Sequence, residues 1–249
     1  MSIVTAVPNK YLSEDEKRAS KVRDLFSRIA GRYDLVNDVM SLGLHRRWKR
    51  DTVQLGLSVA APVPRWLDLC CGTGDMVFLS RSLAGPRRVR AAGLDFTLPM
   101  LAVARGRRRA EGPDASFVQG DALKLPFRDG SFDVVTVGYG LRNLADLPGG
   151  LAEMRRILAP GGRAVVLDFG KPDNPIASAL YWGYLKVVMP LMGLLFQGDA
   201  DTYAYIPASL ERYPAQRGVE RLMQQAGFVN VRYEDRLLGT MGINVGEAP

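Results

Sequence analysis

Three aspartates stand where an alternating chain turns a ligand-binding corner. The run Leu67-Asp68-Leu69-Cys70-Cys71-Gly72-Thr73-Gly74-Asp75 passes from an apolar segment into a glycine-rich turn. Glycines there let the backbone turn tightly and approach a ligand closely. Asp95 ends a second apolar segment, 23 residues after Gly72, where an acid hydrogen-bonds ribose hydroxyls. Gly120-Asp121-Ala122 follow a third segment, where an acid meets an adenine amino group. One aspartate in a loop says little, because aspartate is common in loops. Three at successive segment ends beside a glycine turn point to a nucleoside.

The nucleoside is not expected to carry phosphate. A dinucleotide turn needs Gly-x-Gly-x-x-Gly so that helix amides hold a pyrophosphate, and the third position here is Val77. Asp68 precedes the turn, where it repels phosphate and suits positive charge. S-adenosyl-L-methionine carries a sulfonium and an ammonium and no phosphate, so it is the expected cofactor.

Those acids need strand ends to hold them. Apolar segments at Trp66–Leu69, Ala91–Asp95, Ser116–Gln119, Phe132–Val137 and Arg163–Asp168 read as strands. Helical stretches at Met76–Leu83, Pro99–Ala110 and Leu151–Leu158 lie between them, the last stopped by Pro160-Gly161-Gly162. This alternation predicts an α/β fold with a doubly wound, mostly parallel sheet. Residues 1–64 read as a helical cap. Val22, Leu25, Phe26, Ile29, Ala30 and Tyr33 fall on one helical face, and Pro62 and Pro64 mark a linker. Residues 65–170 form the nucleoside-binding core. Residues 171–214 interrupt the alternation with an apolar, aromatic helical insertion over the sheet's carboxyl end. Residues 215–249 return to the core with a helix at Val219–Ala226, a strand at Val229–Tyr233 and a last strand near Leu237–Val245.

The chain has 249 residues, 47% of them hydrophobic and 24% charged, enough for a full core. Its two cysteines, Cys70 and Cys71, are neighbours. They neither staple a fold nor supply a spaced metal set, so no metal is expected and a reducing cytoplasm fits. Met1–Lys10 lacks the apolar core of a secretory signal. The apolar stretch Ala177–Phe196 contains Lys186 and Pro190 and reads as a buried or interfacial helix, not a span. The net charge of +7 concentrates at Arg46, Arg47, Lys49 and Arg50 and at Arg105, Arg107, Arg108 and Arg109. Such clusters suit an anionic membrane face or are solvated helix surfaces.

Further stretches narrow the chemistry. They are Phe26-Ser27-Arg28-Ile29-Ala30-Gly31-Arg32-Tyr33-Asp34-Leu35-Val36-Asn37-Asp38 followed by Ser41-Leu42-Gly43-Leu44-His45-Arg46-Arg47-Trp48-Lys49-Arg50, Leu125-Pro126-Phe127 followed by Gly138-Tyr139-Gly140-Leu141-Arg142-Asn143, and Arg155 to Gly162. With the three acids, they resemble the seven-stranded class I methyltransferases. Within these they resemble the C-methyltransferases of ubiquinone and menaquinone biosynthesis, from about Arg23 to about Val245. The Cys-Cys-Gly-Thr turn leans to the demethylmenaquinone branch, with a demethylated ubiquinol precursor as the alternative.

That resemblance implies methylation of a ring carbon of a polyprenylated hydroquinone. It implies cofactor contacts from Asp68, Gly72, Thr73, Gly74, Asp95, Phe96, Met100, Asp121, Ala122 and Gly138. Gly138 stands where many members have Ser, with the loss of one hydrogen bond to the cofactor. A ring carbon becomes nucleophilic when its neighbouring hydroxyl loses a proton. Arg142 stays protonated and is expected to stabilise the phenolate or hold a water, with Asn143 and Tyr33 orienting the ring. Tyr33, Asn37, Tyr139, Tyr203, Tyr205 and Ser209 are the expected acceptor contacts. Leu180, Tyr181, Tyr184, Leu185, Val188, Met189, Met192, Leu195 and Phe196 would form a groove for the isoprenoid tail. His45, the single histidine, sits among basic residues, which disfavour taking up a proton, and reads as structural or surface. The expected partners are the lipophilic quinol and an anionic membrane surface, with a homodimer compatible and nucleic acid excluded. An RNA methyltransferase acting on a base nitrogen often has an Asn/Asp-Pro-Pro-aromatic stretch where Gly138-Tyr139-Gly140-Leu141 stands. A methyltransferase for another small phenol, or a silent binding protein on the same fold, would share the cofactor residues.

Overall fold

The computed structural model of the chain describes residues 9–12, 18–111 and 115–249. The parts of the helical reading that fall on residues 1–8 and 13–17, and the side chain of Arg109, lie outside the described residues.

Three helices open the described chain: α1 (Arg18–Ile29), α2 (Tyr33–Ser41) and α3 (Leu44–Leu57). Val22, Leu25, Ile29 and Ala30 are buried on one face as their spacing predicts. The helix does not run on to Tyr33. Ala30-Gly31-Arg32 form a single 3₁₀ turn, and Tyr33 begins a new helix. Gly31 lowers helix propensity at that junction, and the tighter turn re-aims Tyr33. At the end of α2, Leu42 and Gly43 adopt left-handed backbone (φ 50 and 76), which reverses the chain into α3.

The seven strands are β1 (Arg65–Leu69), β2 (Arg90–Asp95), β3 (Ser116–Gln119), β4 (Phe132–Gly138), β5 (Leu158–Phe169), β6 (Val229–Arg236) and β7 (Met241–Glu247). Between them lie α4 (Asp75–Ser82), α5 (Leu98–Glu111), α6 (Leu147–Ile157) and α9 (Ala215–Gln225). The sheet order is β3-β2-β1-β4-β5-β7-β6. The first five strands are parallel, and β7 runs antiparallel to both β5 and β6. The mostly parallel, seven-stranded reading holds. Strand order reverses between β1 and β4, and the crevice beyond their carboxyl ends is where such sheets bind ligands.

α6 and α9 each begin four residues before the expected start, at Leu147 and Ala215, and two strand boundaries also differ. Pro160-Gly161-Gly162 ends the helix, yet the chain passes through it as strand. The Gly161 N–H donates to Ala248 and the Ala248 N–H to Gly162, so pairing with the chain end outweighs the local breaker. The last strand begins at Met241, four residues past the predicted start. Leu237–Gly239 form a 3₁₀ turn with Leu238 left-handed (φ 57), which takes these residues out of the extended ladder.

The insertion is a pair of packed helices, α7 (Pro175–Gln197) and α8 (Asp201–Arg212). Asn174 caps α7 by accepting the Ile176 and Ala177 N–H groups, with Pro175 in the first turn. Gly198, left-handed at φ 66, ends it. Tyr181, Leu185, Met189 and Gly193 recur every four residues on its buried face. Its other face leaves Ile176, Leu180, Val187, Leu191, Leu194 and Leu195 exposed. By length and composition alone α7 is long and apolar enough to cross a membrane. One face packs on α8 and the core, and the other is exposed.

An ionic network fastens the helical cap to the sheet. Lys49 of α3 is buried and its ammonium lies 2.6 Å from Asp75, the first residue of α4. Arg107 of α5 pairs with Asp75 at 2.6 Å and Asp34 of α2 at 3.5 Å. Burial alone would raise the Asp75 carboxyl, but the Lys49 and Arg107 charges overcome it and hold it at about 2. The cap that carries Tyr33 is thereby tied to the glycine turn.

Candidate active site

Two cavities meet at the carboxyl ends of the strands. The first, about 100 Å³, is lined by Cys70 and Gly72 after β1, Asp95 and Phe96 after β2, and Gly120–Leu123 after β3. Gly138–Gly140 and Asn143 after β4 complete it, and Phe26, Tyr33 and Met100 cover it. Seven of the residues expected to contact the cofactor therefore share one cavity: Gly72, Asp95, Phe96, Met100, Asp121, Ala122 and Gly138. Asp95 accepts the N–H groups of Gly72 (2.9 Å) and Thr97 (2.8 Å), which fixes the turn against the strand end. The Thr97 hydroxyl is buried without a hydrogen-bond partner. Cys70 (φ 52) and Tyr139 (φ 61) hold left-handed backbone, one just past the end of β1 and the other just past the end of β4. A Cβ on Gly140 would collide with that of Cys70, so glycine is what lets the two turns close on each other.

Asp68, Thr73 and Gly74 do not line this cavity. The Asp68 carboxyl lies within the sheet, 3% exposed, and accepts a 2.6 Å hydrogen bond from Thr136 across the β1–β4 pair. Burial pushes it up to about 7. It stands behind the turn, so the expected charge match with the cofactor is not where this carboxyl sits. Thr73 turns toward the cap and donates to Asp34 at 2.9 Å. Gly74 (φ 87) starts α4 against Phe78 and Phe117, where an added Cβ would come within 3.0 Å of both rings. At Gly138 an added Cβ would approach the Met76 sulfur to 2.7 Å, so the thioether fills the space a serine would take.

The second cavity, about 460 Å³, lies between α1–α3 and the α7–α8 insertion. Its wall is apolar: Leu25, Trp48, Phe169, Leu185, Met189 and Ile206 are part of it. Tyr33 and Tyr139 line both cavities and form the boundary between them. Five buried polar atoms on its lining residues make no hydrogen bond within the protein: Asn37 Nδ2, His45 Nδ1, Tyr139 Oη, Arg142 Nε and Tyr203 Oη. Arg142 is otherwise engaged. It donates to Asp168 at 2.9 Å and to the Tyr139 carbonyl at 2.6 Å, and its guanidinium lies 4.8 Å over Phe169. The Tyr205 hydroxyl donates to Asn143 (3.1 Å), whose amide donates to the same Tyr139 carbonyl at 3.2 Å. Burial raises the Tyr33 phenol, and the Lys49 and Arg142 charges oppose it.

Of the expected acceptor contacts, Ser209 is not on the wall. Its hydroxyl donates to Ile206 within α8, on the face turned into the core. Of the expected tail groove, Leu180, Tyr181, Tyr184, Leu185 and Met189 line the cavity, and Val188, Met192 and Phe196 pack on the core. Leu195 is exposed. Two residues were missed by sequence reasoning. Asp168, one residue before the end of β5, holds Arg142, a role its place near a strand end hinted at. His45 is buried on the cavity wall, its Nε2 2.8 Å from Asp38.

The fold and the sequence both have known counterparts. A chain of the complex between the Haloferax volcanii Trm112 methyltransferase activator and a methyltransferase superposes with a TM-score of 0.61. The match is at 21% identity and covers 92% of this chain and 97% of that one. A SAM-dependent methyltransferase from Aquifex aeolicus gives 0.59 at 12% identity, covering 87% and 98%. These likenesses concern the fold alone. In sequence, the demethylmenaquinone methyltransferase of Thermus thermophilus is 44% identical over 90% of this chain and all of its own length. The ubiquinone/menaquinone biosynthesis C-methyltransferase UbiE of Ectopseudomonas mendocina is 41% identical over 94% of this chain and 91% of its own. The ubiE/COQ5 methyltransferase family model matches residues 13–247, and the chain belongs to that family.

Proposed function

We propose that this methyltransferase transfers the methyl group of S-adenosylmethionine to a ring carbon of a polyprenylated hydroquinone, and that its acceptor is a demethylmenaquinol. The observation that carries the reading is the second cavity, an apolar space of about 460 Å³ on whose lining residues five buried polar atoms lack partners. Buried polar groups ordinarily find partners, so such a set is matched by a ligand with an apolar body and a few oxygens. A hydroquinone with an isoprenoid tail has that chemistry. A demethylated ubiquinol precursor is the second reading, supported by the relative whose name covers both quinones.

S-adenosylmethionine, when bound, supplies an electrophilic sulfonium methyl. The first cavity suits its nucleoside: Asp95 and Asp121 stand at successive strand ends, and Phe96 and Met100 give an apolar surface. Tyr33 and Tyr139, shared by both cavities, orient the ring toward the methyl group. The free Nε–H of Arg142 donates to a ring oxygen on which negative charge develops, while Asp168 fixes the guanidinium. Asn143, held by Tyr205, sets the wall beside it.

The tail leaves through a mouth rimmed by Leu42 (88% exposed), Leu180, Leu237 and Leu238 (78% exposed). This rim continues into the exposed apolar face of α7, and in our reading the two rest on the lipid surface that holds the tail. Charge contributes less than the sequence suggests. Arg46, Lys49 and Arg107 are spent on internal carboxylates, leaving Arg47, Arg50 and Arg108 exposed.

One titration tests the reading. A demethylmenaquinol with a short prenyl tail is compared with the tailless naphthohydroquinone, in detergent and in anionic vesicles. The expected result is at least tenfold tighter binding with the tail and cosedimentation of the protein with vesicles. Equal affinity for both acceptors would remove the tail from the second cavity.

A further inference from the structure

We propose that His45 is the general base of the transfer, its Nδ1 taking the proton from the ring hydroxyl beside the carbon to be methylated while Asp38 holds Nε2. The inference rests on the hydroquinone reading above.

The geometry on the Asp38 side is local. The left-handed turn at Leu42-Gly43 folds α3 back on α2, so two side chains seven residues apart meet: His45 Nε2 lies 2.8 Å from Asp38 Oδ1. Arg46 grips the same carboxylate through two bonds, Nε to Oδ1 at 2.7 Å and Nη2 to Oδ2 at 2.5 Å. Arg46 and then His45 keep the Asp38 carboxyl at about 2, so it is ionised whenever the ring is neutral. An ionised carboxylate only accepts, so the neutral imidazole carries its hydrogen on Nε2. The lone pair is then on Nδ1, which is buried, without a partner, and on a residue of the acceptor cavity wall. An orienting acid, an imidazole and a partnerless lone pair on a residue of the cavity wall supply the parts of a general base.

The surroundings keep the ring unprotonated before reaction. Burial lowers its affinity for a proton, Asp38 opposes, and Lys49 adds to the lowering. Asp34 and Asp38 of α2, Arg46, Lys49 and Arg50 of α3, Asp75 of α4 and Arg107 of α5 are the charged groups on this side among the described residues. Across the cavity stand Arg142, neutralised by Asp168, and the hydroxyls of Tyr139 and Tyr203, which burial keeps protonated.

The step balances. The O–H proton moves to Nδ1 and the imidazolium charge is met by Asp38. The ring carbon forms its new bond to the methyl group as the methyl–sulfur bond breaks and that electron pair stays on sulfur. Loss of the ring C–H proton to solvent restores the aromatic ring as a phenolate, which recovers its O–H proton from Nδ1. One methyl group is gained and one proton released.

The test measures kcat against pH for the full chain with a short-tailed demethylmenaquinol, comparing wild type with His45→Ala, His45→Gln and Asp38→Asn. Wild-type kcat is expected to rise with pH through an ionisation below the ordinary histidine range. His45→Gln is expected to lose that inflection and about a hundredfold in kcat, with cofactor affinity retained. Added imidazole is expected to restore turnover to His45→Ala, which a structural role would not allow. Asp38→Asn is expected to lose tenfold or more, and it decides the matter if the histidine variants fail to fold. Full activity and an unchanged pH profile in His45→Gln, or unrescued loss in His45→Ala with full kcat in Asp38→Asn, would overturn the proposal. A wild type that binds cofactor but methylates no quinol would instead overturn the reading beneath it.

Discussion

Asp68 illustrates how a residue's type can be legible while its role is not. Its position before the glycine turn reads as a ligand contact, but β1 pairs with β4 so that the carboxyl meets Thr136 inside the sheet. Burial pushes it up to about 7 from an ordinary 3.8. The folded protein therefore holds a proton that the unfolded chain has released between those values, and stability falls as pH rises from about 4 to 7. At 1.36 kcal/mol per unit the loss is about 4 kcal/mol. Asp68→Asn keeps an oxygen for Thr136 and removes the charge, so denaturant unfolding should find it more stable than wild type at pH 8 and little different at pH 4. A wild type whose stability is flat across that window would refute the assignment. His45 is the converse case. Its neighbours Arg46 and Arg47 suggest a site hostile to protons, and only the reversal at Leu42-Gly43 brings Asp38 to its other nitrogen. Sequence adjacency weighs charges that are close along the chain and misses those that folding brings close.

At the scale of elements, the parallel half of the sheet was legible because each strand is a short apolar run closed by an acid or glycine. What failed had two causes: β5 begins early because the distant segment at Ala248 pairs with it, and β7 begins late because Leu238, just before it, turns left-handed. The ties from Lys49 and Arg107 to Asp75 bring the cap to the turn across 26 and 32 residues, and no local pattern announces them. The turns after β1 and β4 make a sharper test. Gly140→Ala drives a Cβ into Cys70, itself left-handed at φ 52. We expect calorimetry to find S-adenosylmethionine bound at least tenfold more weakly. Adding Cys70→Gly, which frees the space and suits the backbone, should restore most of the affinity. Unchanged binding in Gly140→Ala would mean that these turns do not hold the cofactor.

The whole molecule is a mostly parallel sheet whose switch point holds one cavity, with a helical cap and a helical hairpin enclosing a second beside it. Tyr33 from the cap and Tyr139 from the sheet divide the two. The nucleoside side was readable as motif because its residues sit at successive strand ends. The acceptor side was readable mainly as composition, because its wall comes from segments more than a hundred residues apart. The division of labour has one direct test. The chain is incubated with methyl-labelled S-adenosylmethionine and a reduced demethylmenaquinol, with a demethylated ubiquinol precursor and bulk RNA alongside, and the products are resolved by position of label. The account predicts label on a ring carbon of the naphthoquinol, little on the benzoquinol and none on RNA. Label on an oxygen, on RNA, or on no acceptor while the cofactor binds would contradict it.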